Sequence, residues 1–149
     1  MRKPTRGFTL LEVLVSATII AVLTMIGVVS YSSVNKRSRD VKRKSDLEQI
    51  RSALEMYRSD NIAEPGQYPH PNGASYGNAS GLSASLVSTY IPSIPDDPDT
   101  DYHYRYQAID SGGGVYSSYC ICAQLENPPT AANACTVDAT NCNYGLKSP

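Results

Sequence analysis

The stretch Arg6-Gly7-Phe8-Thr9-Leu10-Leu11-Glu12-Val13, with the apolar run that it opens as far as Asn35, decides how the rest of the chain is read. Arg2 and Lys3 stand ahead of it, so with Arg6 three positive charges precede Gly7. From Phe8 to Asn35 the one side chain charged at neutral pH is Glu12, and no proline interrupts the run. At ~1.5 Å per residue a helix over these residues is roughly 40 Å long, enough to cross a hydrocarbon core of ~30 Å. A carboxylate inside such a helix is costly unless it has a partner. A secretory signal peptide carries only about 7–15 apolar residues before its cleavage site. The length of the run and the presence of Glu12 both argue against one. A plain membrane anchor explains the length but leaves Glu12 without a purpose.

The basic leader, Gly7-Phe8-Thr9-Leu10, the carboxylate of Glu12 and the long apolar helix together resemble the processing and methylation signature of type IV prepilins and type II secretion pseudopilins. The major pseudopilin pattern is the nearest match. The resemblance implies cleavage after Gly7 by a prepilin peptidase/methyltransferase and N-methylation of the new amino-terminal Phe8. It also implies a homo-polymer joined through the amino-terminal helices, with a membrane platform protein and an assembly ATPase system as partners. The Phe8 amine could meet Glu12 of its own helix or of a neighbouring subunit; the resemblance favours the neighbour, where the pair would fix the register of the bundle. In this reading residues 1–7 are a leader, 8–35 a transmembrane and filament-core helix, 36–60 its amphipathic continuation, and 61–149 a head. The fold class expected is α+β and pilin-like, a long helical spine packed against a small antiparallel sheet. The precursor would lie in the cytoplasmic (inner) membrane with an extracytoplasmic head, then join a periplasmic or cell-surface filament. A type IV pilus, a secretion pseudopilus and a competence pseudopilus share these features. The reading outside the filament class is a single-pass anchored adhesin or binding domain with its leader intact.

Beyond the apolar run, Lys36, Arg37, Arg39, Lys42, Arg43 and Lys44 surround one acid, Asp40. Leu47, Ile50, Leu54 and Tyr57 then recur at three- and four-residue spacing, with Val41 and Ala53 near the same side, which predicts an amphipathic helix. Arg51, Glu55 and Arg58 read as exposed local charge pairs. Ser45-Asp46-Leu47-Glu48 has the form of a capping box and marks a place where a helix could restart. With no glycine or proline from Val28 to Ile62, one continuous helix to about Asp60 is preferred. After Asp60 eight acids face only Arg105 and Lys147. A basic stem and an acidic head could meet between subunits, or the stem could hold anionic lipid of the inner membrane before assembly.

In the head, Pro65-Gly66, Pro69, Pro71, Gly73 and Gly77 predict a long irregular loop. Leu82 to Tyr90 reads as a short helix, Tyr102 to Tyr106 as a strand, Gly112-Gly113-Gly114 as a turn, and Val115 to Leu125 as the returning strand. The tail from Glu126 reads as loop. Asp60-Asn61, Gln67-Tyr68-Pro69 and Tyr90-Ile91-Pro92 resemble the landmarks of pseudopilin heads. In that family a small sheet covers the exposed half of the helix, which here implies the face of Leu47, Ile50, Leu54 and Tyr57.

Cys120, Cys122, Cys135 and Cys142 suggest two disulfides in a loop-rich exported domain. Cys120 and Cys122 share one face of a strand, so each is expected to pair with Cys135 or Cys142, with a Cys135–Cys142 bridge left open. Zinc is disfavoured by the Cys-x-Cys spacing. Asp97, Asp99 and Asp101 alternate like the first ligands of a calcium loop. The glycine turn and late bidentate acid of an EF-hand are missing, with Tyr102 and Ala108 in their places. Major pseudopilins do bind calcium in a head loop, although the ligands of that loop do not map onto this chain residue by residue. No phosphate loop, histidine pair or nucleophile elbow is present, so no enzyme and no cofactor is expected. The eleven tyrosines suggest a surface packed between subunits, and the acidic head disfavours nucleic acid.

Overall fold

The computed structural model describes residues 7–129, 135 and 142–149. The leader charges Arg2, Lys3 and Arg6 lie outside the described residues. Helix α1 runs Leu10–Asp60 without a break. Two compact units divide the chain between Lys36 and Arg37, and α1 contributes to both. The absence of proline and the helix-favouring Leu, Ala, Glu, Lys and Arg content account for its length. Ser45 and Glu48 do not restart it. Both are exposed within the helix, and Glu48 pairs with Arg51 at 3.6 Å.

In the first unit the apolar side chains have no cover. Phe8 is 88 % exposed and Leu10 83 %, and the same holds along the segment through Val28. Its hydroxyls turn back on the helix: Ser16 Oγ donates to Glu12 O at 2.7 Å, and Thr24 Oγ1 to Ile20 O at 2.8 Å. Such back-bonding satisfies polar groups without water, as a lipid-facing helix requires. Among the described residues α1 is the one helix long and apolar enough to cross a membrane.

The second unit holds a four-stranded antiparallel sheet in the order β1 (Gly77–Asn78), β2 (Arg105–Ile109), β3 (Ser118–Ala123) and β4 (Tyr144–Lys147). A 3-10 turn at Ala79–Leu82 leads into α2 (Ser83–Leu86). Leu47, Ile50, Ala53 and Leu54 of α1 are buried against Tyr104, Tyr106, Tyr119 and Ile121. Burying each large aliphatic side chain stabilises by about 1.5–3 kcal/mol. Val41, expected near this face, is 65 % exposed. The inward positions one turn earlier belong to Asp40 and Arg43.

Four sequence expectations are corrected. Leu82 to Tyr90 is helical only to Leu86, after which Val87 bridges Ile91 and Ser88 takes a positive φ. The first long strand begins at Arg105 rather than Tyr102; just before it Tyr104 O still accepts from Ala79 N at 2.8 Å, next to the Asn78–Arg105 pair that ends β1, and no ladder partner continues toward Tyr102 among the described strands. The tail is not all loop, since β4 pairs Leu146 with Ile121. The tyrosines are largely core rather than surface, with Tyr68, Tyr104, Tyr106 and Tyr119 at 2 % exposure or less.

The β2–β3 turn is set by glycine. Gly112, Gly113 and Gly114 have φ of 118°, 72° and 83°, values that other residues resist. Asp110 closes the turn by accepting from Gly112 N at 2.7 Å.

Candidate functional site

Gly7, Phe8 and Thr9 precede α1, so the Gly7–Phe8 peptide lies outside the helical hydrogen-bond ladder. Gly7 has nothing within 4 Å of where a side chain would begin. Thr9 and Glu12 form a reciprocal cap. Thr9 N and Thr9 Oγ1 each donate to Glu12 Oε2 at 2.8 Å, and Glu12 N donates to Thr9 Oγ1 at 3.3 Å. One orphan amide at the helix start is satisfied by the threonine, and the carboxylate is satisfied within its own helix. Thr-x-x-Glu at Thr9 to Glu12 is the ordinary signature of such a box.

The second unit carries a separate constellation. Arg43 is fully buried on α1. Its Nε donates to Asp97 Oδ2 at 2.9 Å and its Nη2 to Asp97 Oδ1 at 2.8 Å. Its Nη1 donates to Asp40 Oδ1 at 3.0 Å and to Glu126 Oε1 at 3.3 Å. Arg39 Nη2 donates to Glu126 Oε2 at 2.7 Å. Asp40 in turn accepts from the backbone N–H groups of Glu126 and Asn127, both at 2.9 Å. Burial alone would raise the Asp40 carboxyl, but those two amides, Arg43 and the Asn127 side chain outweigh it and hold it below its usual range. Arg39 first, and Arg43 with it, holds Glu126 low as well. The Asp97 bonds in turn push the Arg43 guanidinium up.

For Arg39, Arg43 and Lys44 these contacts replace the reading of a free basic stem facing an acidic head on another subunit, while Lys36 and Arg37 stay exposed. Arg39 and Arg43 meet Glu126 and Asp97 of the same chain, and Lys44 lies 5.2 Å from the Tyr144 ring centre. Glu55 and Arg58 are not an exposed pair either. Glu55 accepts from the Tyr68 and Tyr119 hydroxyls at 3.0 and 3.2 Å, and Arg58 donates to Gly66 O at 3.1 Å.

Cys120 is bonded to Cys135 and Cys122 to Cys142, each pair with its Cα atoms 5.7 Å apart. On β3 the residues alternate. Tyr119, Ile121 and Ala123 join the main core, while Cys120 and Cys122 point to the other face, where the disulfides bury them. Cys135 and Cys142, in a stretch of sequence too polar to form a core, are thereby tied to the strand.

Of the calcium candidates Asp97, Asp99 and Asp101, the first is engaged by other groups. Both oxygens of Asp97 are taken by Arg43, and Asp97 Oδ1 also accepts from Asp99 N at 2.9 Å. Asp99 Oδ1 caps Asp101 N at 3.2 Å. Among the described residues no three His, Cys, Asp or Glu side chains are placed to hold a metal ion.

Residues 2–28 match the family described as the prokaryotic N-terminal methylation motif. The type II secretion system core protein G of Pseudomonas aeruginosa is 34 % identical over 115 residues, 77 % of this chain and 73 % of the relative. The protein of the same name from Pectobacterium carotovorum is 32 % identical over 123 residues, 83 % and 67 % of the two chains. The one from Escherichia coli is 28 % identical over 111 residues, 74 % and 69 %. No solved structure matches the chain.

Proposed function

Because the chain belongs to the family of the type II secretion system core protein G, we propose that it is the structural subunit of a pseudopilus, made as a membrane-held precursor and polymerised through α1. The observation that carries this reading is that the first unit's apolar surface is uncovered, whereas the second unit has its own core. A helix of that kind needs lipid, and afterwards sister helices, to cover it.

The assembly chemistry follows from the helix start. A peptidase at the membrane surface meets Gly7–Phe8 as accessible backbone ahead of the helix and cuts after Gly7. The new amine of Phe8, once methylated, carries a positive charge into an apolar surrounding. In the waiting subunit Glu12 is satisfied by Thr9, so it can wait in lipid at reduced cost. During docking the carboxylate exchanges that neutral donor pair for the ammonium of a neighbouring Phe8, a stronger charge-assisted contact. The exchange favours a single axial register. The role is structural rather than catalytic. Its partners are further copies of itself, the prepilin peptidase/methyltransferase, and the membrane platform and ATPase that drive extraction.

Mass spectrometry of the mature amino terminus tests the processing: a chain beginning at methylated Phe8 is expected, and an intact Met1 in assembled material refutes it. For the register role, Glu12→Val is expected to insert in the membrane normally yet give few filaments. Filament yield equal to wild type refutes that role.

A further inference from the structure

We propose that the Arg43 guanidinium takes the place of a bound cation in this head, so that the three separate segments of Asp40, Asp97 and Glu126 are gathered by a fixed charge and need no divalent metal to hold them. The resemblance to major pseudopilins implies calcium in a head loop, and the acids of this chain are arranged otherwise. Asp40 comes from α1, Asp97 from the segment after α2, and Glu126 from the segment after β3. All three carboxylates converge on one guanidinium that has no exposed surface. A calcium ion requires six to eight oxygens at ~2.3–2.6 Å around one point. Here the point between the carboxylates is filled by a planar group whose nitrogens sit 2.8–3.3 Å from their oxygens.

The remaining lone pairs have donors too. Asp97 Oδ1 accepts from Asp99 N, and Asp40 accepts from the amides of Glu126 and Asn127. Arg39 adds a second positive charge on Glu126, so the surplus negative charge is met by arginine and backbone dipoles. A guanidinium forks in a plane and reaches several carboxylates at once, which a lysine ammonium does not. Unlike a metal, it cannot dissociate. The segments of Asp97 and Glu126 therefore keep their places on α1 whatever the calcium level around them, and two disulfides tie Cys135 and Cys142 to β3 covalently.

The test uses the full-length chain in detergent, with thermal unfolding followed by the near-ultraviolet signal of its tyrosines. Coincident melting curves in plain buffer, in chelator and in millimolar calcium are expected. A midpoint that rises with calcium or falls with chelator overturns the proposal. Arg43→Lys keeps the charge and loses the fork, and it is expected to lower Tm by roughly 10 °C. An Arg43→Lys chain melting with wild type overturns the proposal as well. Should that variant fail to accumulate, the chelator comparison on the unaltered chain decides alone. The readout involves no polymer, so it is independent of the filament assignment.

Discussion

Asn143 holds Leu125 as a neighbouring strand would: Leu125 N donates to Asn143 Oδ1 and Asn143 Nδ2 donates to Leu125 O, both at 2.7 Å. The next two residues, Glu126 and Asn127, present their amides to Asp40. One side chain ahead of β4 therefore sets the segment that closes over Arg43. Asn143→Ala leaves two partly buried backbone groups without this partner and should cost about 1–3 kcal/mol. Asn143→Asp keeps the acceptor alone and should fall between. Urea midpoints of the three chains measure this, and an Asn143→Ala midpoint equal to wild type would show that the pair holds nothing.

Thr9→Val removes the hydroxyl that caps α1 while preserving shape. The helix start should lose about 1 kcal/mol, and amide exchange at Leu10 to Val13 should quicken in detergent, while Thr9→Ser restores protection. Identical exchange in Thr9→Val and wild type would mean that the Thr9 hydroxyl adds nothing to the helix start.

The pair Cys122→Ala with Cys142→Ala removes a bond spanning 20 residues of sequence and should lower stability by about 3 kcal/mol. The loss should also appear in wild type under reductant. Denaturation curves that ignore both treatments would contradict the stapling role.

Acid should loosen the same region. Asp40 and Glu126 are held below their ordinary values of 3.8 and 4.5. Above those values both carboxylates are ionised folded or unfolded, and their stabilisation is fully present. As pH falls through 4.5 and then 3.8, the unfolded chain takes up protons first. Stability then drops until the folded carboxyls also protonate. Asp40→Asn should flatten this slope. Urea midpoints constant from about pH 6 to about pH 3 in wild type would exclude the linkage.

Much of the architecture was legible because it rests on local periodicity. The spacing of Leu47, Ile50 and Leu54 marks the buried face of α1, and the lack of proline marks its length. The glycine run at Gly112 and the even cysteine count carry equally local signals. The Arg43 cluster was hidden because two of its partners, Asp97 and Glu126, lie 54 and 83 residues away, and six basic residues between Lys36 and Lys44 give no local sign of being drawn inward. β4 was hidden because Tyr144 to Lys147 is short, and its pairing with β3 is a long-range event. The cap at Thr9 is local in sequence, Thr9 and Glu12 standing three residues apart, but Glu12 read as a charge does not announce it.

The alternation on β3 carries one more consequence. Pairing β3 against β2 one step out of frame would turn Tyr119 and Ile121 outward and bring both sulfurs into the tyrosine core. From there neither thiol could reach its mate. Oxidation thus proofreads the weave: only a correctly threaded sheet can be sewn shut.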